Sequence, residues 1–94
     1  MRTETYKLTA AQLKAVECIT YWIADRAWYM ERHGRNNPEF EKYDASIRCA
    51  LDEADAAGVP WAVQNMAICW AEDWRRYDSD YTRNALQRRG VIIA

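Results

Sequence analysis

Apolar residues recur along this chain at alternating steps of three and four, the pattern of helices with one buried face. Leu13, Val16, Thr20, Ile23, Ala27 and Met30 form the first stripe, with Ile19 beside it. Its start is marked just upstream. Thr9 with Gln12 three residues later makes a capping box, and Leu8 and Leu13 flank it at the spacing of a hydrophobic staple. Arg32 and His33 suit the negative end of the helix dipole and Gly34 stops the run, so the first helix is predicted over residues 10–33.

Asn37-Pro38 reads as an N-cap followed by proline at the first helical position. The second helix then covers 38–57, with Phe40, Tyr43, Ile47, Leu51 and Ala54 facing inward and the small residues Ala45, Cys49 and Ala56 on the opposite side. Gly58 and Pro60 end it. A third helix is predicted over 60–77, its buried stripe being Val63, Met66, Ala67, Trp70, Trp74 and Tyr77. Asp78-Ser79-Asp80 reads as a turn, and a short fourth helix over 80–89 turns Ala85 and Leu86 inward before Gly90. Tyr6 and Leu8 share one side of an extended opening stretch, and the β-branched tail Val91-Ile92-Ile93 should pack on the core or pair with it. The pattern predicts an all-α fold, a compact helical bundle of three main amphipathic helices plus a short C-terminal one, in a single helical domain spanning 1–94.

Some aromatic residues do not fit these stripes. Tyr21 and Trp28, seven apart, lie on the far side of the first helix, flanked by Lys14, Glu17 and Asp25. Trp61 and Ile68, also seven apart, fall opposite the third stripe beside Glu72 and Arg75. Large aromatics outside a core mark surfaces that something else covers, most often another protein. Arginine outnumbers lysine ten to three, and Arg is enriched with Trp and Tyr at interfaces. The expected protein-binding residues are therefore Tyr21, Trp28, Trp61, Ile68 and Arg75.

Charge separates the rival readings. The formal net charge of −1 excludes a strongly basic nucleic-acid binder and a strongly acidic DNA mimic. Its distribution is uneven: residues 38–57 carry six acids against two bases, and residues 74–94 carry five arginines against two aspartates. Arg83, Asn84, Gln87, Arg88 and Arg89 could grip phosphates, which makes a small DNA-binding regulator the alternative.

Catalytic and metal chemistry finds no constellation. His33 stands in a last helical turn, where a dipole-favoured cation explains it, and no nucleophile motif surrounds any serine or cysteine. Cys18, Cys49 and Cys69 lack the close ligand pairing of a zinc site. Asp78-x-Asp80-x-Thr82-x-Asn84 has Arg83 where a calcium loop needs glycine and Arg89 where it needs glutamate. No cofactor, metal or catalytic residue is expected. Three unpaired thiols and the absence of a leader pattern or a membrane-length apolar run point to a soluble cytoplasmic chain. The resulting expectation is a non-enzymatic protein-binding module, self-associating as a homodimer or docking on a host protein. A phage or mobile-element inhibitor that sterically blocks a host defence protein has this general character.

Overall fold

The computed structural model describes residues 5–34, 37–71 and 80–94, with the side chain of Trp70 excepted. Thr9 Oγ1 accepts the Gln12 N–H at 3.2 Å and Gln12 Oε1 accepts the Thr9 N–H at 2.9 Å, so α1 (Ala10–His33) begins on its capping box. The remaining end of the same amide donates to the Ala57 carbonyl at 3.0 Å. One glutamine thus both starts α1 and ties it to the end of α2 (Glu39–Ala56).

At the other end of α2, Asn37 Oδ1 accepts the Glu39 N–H at 3.0 Å, and Pro38 is already helical. The Asn37 side chain thus caps the start as expected, but α2 begins at Glu39, one residue after the predicted first position at Pro38. Gly58 takes the left-handed conformation (φ 80°) that lets the Val59 N–H return to the Ala54 carbonyl at 3.0 Å. The chain then enters α3 (Trp61–Ala71) and, later, α4 (Tyr81–Arg88). Residues 72–77 of the predicted third helix, with Trp74, Arg75 and Tyr77, lie outside the described residues, as do Asp78 and Ser79.

The tail does both things expected of it. Val91 is buried, and Ile92–Ile93 (β2) pairs in parallel with Lys7–Leu8 (β1), Lys7 opposite Ile92. The Ile92 N–H donates to the Tyr6 carbonyl at 2.8 Å and the Ala94 N–H to the Leu8 carbonyl at 2.9 Å. The fold is an all-α bundle closed by this small bridge, and α1 contacts α2, α3, α4 and β1.

The core is aliphatic and lies toward one end of a body measuring 43 × 26 × 26 Å. Leu8, Leu13, Val16, Ile19, Ile23, Val63, Ala67, Leu86 and Val91 all belong to it. From Asp25 to Ser46, by contrast, none of the described residues is buried. There α1 and α2 make a two-helix arm, so Ala27, Met30, Phe40 and Tyr43, expected inside, are half-buried. Ala24 and Ala50 take core places that the stripes did not name.

α3 departs further from its predicted stripe. Its buried residues are Val63, Gln64, Ala67 and Ala71, while Met66 is only partly covered. Gln64 can go inside because its amide donates to Asp55 Oδ1 at 2.7 Å and to the Val59 carbonyl at 3.0 Å. Its Oε1 has no hydrogen-bond partner among the described residues. Turning the helix toward Gln64 and Ala71 also brings Ile68 against the core, so Ile68 is half-buried and packed, not on an outer face with Trp61.

Candidate protein-binding site

The outward face of α1 is built by its own periodicity. With the arc from Leu13 to Ala24 inside, Glu17, Tyr21, Trp28 and Arg32 fall together along one flank of the helix, Glu17 and Trp28 half-buried and Tyr21 and Arg32 exposed. Tyr21 is 50% exposed, a large value for an aromatic in mid-helix. Trp28 is half-buried because the Arg32 guanidinium, one turn on, lies 4.7 Å above its ring. The spacing of four in sequence is the signal for this pair, although by its position alone Arg32 reads as a helix-end cation.

Rings continue from this face onto α2. Tyr21 meets Trp22 edge-on at 5.2 Å, Trp22 meets Tyr43 at 6.4 Å, Tyr43 meets Tyr29 at 5.4 Å, and Tyr29 meets His33 at 4.4 Å. Desolvation, then a hydrogen bond to Asp25 and its negative charge, pushes the Tyr43 hydroxyl pKa up to about 12. The Asp25 carboxylate is thereby engaged toward α2. Arg26 and Asp44 form an ion pair at 2.7 Å across the same two helices.

Beside the rings, α1 and α2 leave a groove of about 310 Å³ lined by Cys18, Trp22, Ala45, Ser46, Cys49, Ala50 and Glu53. Of the small residues expected on the outer side of the second helix, Ala45 and Cys49 line it and Ala56 does not. Neither the groove nor the ring series was legible in the sequence, because both depend on which turns of the two helices face each other.

The other expected site residues are dispersed. Trp61 is 64% exposed at the start of α3 and has no ring contact among the described residues. Arg75 lies outside the described residues. Arg83, Asn84, Gln87, Arg88 and Arg89 are all exposed on or just after α4. Arg88 Nε reaches the Asn84 carbonyl at 3.4 Å and Arg89 Nη1 the Ala85 carbonyl at 3.0 Å, so part of their donor capacity serves the helix end.

The three cysteines are free thiols, Cys18 half-buried and the other two exposed. Among the described residues no three His, Cys, Asp or Glu side chains gather in a way that could hold a metal ion. No helix among them is long and apolar enough to cross a membrane. No protein-family model, no curated protein and no solved structure matches this chain.

Proposed function

We propose that this chain is a non-enzymatic protein-binding module whose contact surface is the outward face of α1, with Tyr21 and Trp28 as anchors and Arg32 beside them. The observation that carries the reading is Tyr21: half of a tyrosine stands in solvent in mid-helix, joined through Trp22 to an apolar groove. Aromatic and arginine anchors beside a pocket are the residue types on which binding energy concentrates. The mechanism is steric, the face docking on a partner and occluding what lies beneath. In its narrower form the module is a phage or mobile-element inhibitor and the partner a host defence protein.

Affinity capture from native host lysate tests this, comparing the wild-type chain with Tyr21→Ala/Trp28→Ala. Loss of the captured protein from a variant that keeps its helical circular dichroism is expected. A folded variant that retains it sinks the proposal. The exposed Arg83, Asn84, Gln87 and Arg88 on α4 favour the second reading, a DNA-binding regulator. Duplex DNA retention that falls steeply with salt would support that reading instead.

A further inference from the structure

Taking the α1 face as a protein interface, as proposed above, we infer that it is occupied by a second copy of the same chain, docked antiparallel about a two-fold axis between Ala24 and Asp25. A two-fold contact needs one patch that complements itself after reversal. Glu17, Tyr21, Trp28 and Arg32 are separated by four, seven and four positions, a spacing that reads the same in both directions. Laid antiparallel, Tyr21 meets Trp28 of the second copy, and Trp28 meets its Tyr21. Glu17 meets Arg32 at one end, and the same pair repeats at the other.

Charge sets the direction. A parallel pair would place Glu17 on Glu17 and Arg32 on Arg32, whereas the antiparallel pair makes two opposite-charge contacts. Neither Glu17 nor Arg32 has an ion-pair partner among the described residues, and Arg32 lies over the Trp28 ring of its own helix. Asp25, next to the axis, keeps its negative charge beside the Tyr43 hydroxyl of α2, so the two copies' Asp25 groups oppose the pairing and the two Glu17–Arg32 contacts have to offset them. The stripe is about 22 Å long at 1.5 Å per residue.

The docking also supplies what the arm lacks. None of the described residues from Asp25 to Ser46 is buried. In the antiparallel pair the arm of each copy lies along the well-packed first half of the other's α1.

Light scattering and sedimentation on the full chain over a concentration series test the assignment. The wild type is expected at twice its 11.1 kDa mass, and Tyr21→Ala/Trp28→Ala at the single mass. Glu17→Arg alone and Arg32→Glu alone each create two like-charge contacts per pair and should weaken association by about tenfold or more. The double variant Glu17→Arg/Arg32→Glu should recover the dimer, and so should an equal mixture of the two single variants. A wild type that stays at the single mass at every concentration overturns the inference, as does a double variant no tighter than the singles. The outcomes also separate this inference from the reading beneath it. A monomer that captures a lysate protein through Tyr21 and Trp28 defeats self-pairing and leaves the binding reading standing. A dimer indifferent to all four positions defeats self-pairing through this face, and a monomer that captures nothing defeats both.

Discussion

Between Leu13 and Ala24, α1 contributes six buried side chains, whereas between Asp25 and His33 it contributes none, although the helix is unbroken. The first stretch is covered by α2, α3, α4 and the β bridge, and its contacts are aliphatic. Beyond Ala24 the cover among the described residues is α2, where rings pack on rings with an ion pair at the edge. Aliphatic groups stabilise by complete removal from water, so they need neighbours on every side. Rings with polar tips keep much of their value when half-covered, and they are also the groups that a partner can use. A single helix therefore serves as scaffold at one end and as part of a contact surface at the other.

The contrast predicts unequal costs for equivalent truncations. Leu86→Ala, fully inside the core end, should lose about 2–5 kcal/mol, whereas Phe40→Ala in the arm should lose about 1 kcal/mol for a half-covered ring. Urea unfolding of both variants checks the ratio, and equal losses would mean that the arm is packed as tightly as the core.

Each region also has a buried or half-buried polar pair, and the two should respond differently. In the core end Thr20 Oγ1 donates to the Glu17 carbonyl at 2.9 Å, so its 2.7 Å contact with Thr82 is donated by Thr82. Thr82→Val removes that donor at nearly constant shape and should cost about 1 kcal/mol, independent of pH through the neutral range. In the arm, Tyr43 keeps its proton to about pH 12 when folded, against an ordinary value of 10.0. Its contribution to stability is full below pH 10, and it is lost as the pH rises through 12. Tyr43→Phe should therefore unfold with a shallower alkaline decline than the wild type over that window. Coincident pH–stability curves would show that the hydroxyl is not protected by Asp25.

Much of the architecture could be read in the chain because helix ends are local events. The Thr9–Gln12 box, the Gly58 turn and the Gly90 stop use groups within a few residues of one another. Burial was legible only where a stripe met cover on all sides. Ala27 and Met30 continue the stripe of Ile23, yet they are half-exposed because the described parts of α3 and α4 do not cover that length of α1. Gln64 shows the opposite failure. A polar residue goes inside because Asp55 and the Val59 carbonyl, contributed by the preceding helix and turn, wait there for its amide. Of the candidate site, Tyr21 and Trp28 could be placed from periodicity, whereas the groove, the Arg32 cap and the packing of Ile68 required the tertiary fold.

The bridge between Lys7–Leu8 and Ile92–Ile93 has a consequence for how the molecule comes into being. It joins Lys7–Leu8 to Ile92–Ile93, so it cannot form until every helix between them has been made. α1 and α2 can pair as soon as both have emerged, since only a short turn divides them. Leu8, 1% exposed in the finished fold, has to wait in water until Val91 to Ile93 have been made. The equilibrium cost of closing so long a loop grows only logarithmically, but non-local contacts of this kind slow folding. A nascent chain halted before Val91 thus holds its helices around an open hydrophobic seam, and that seam closes only after they are in place.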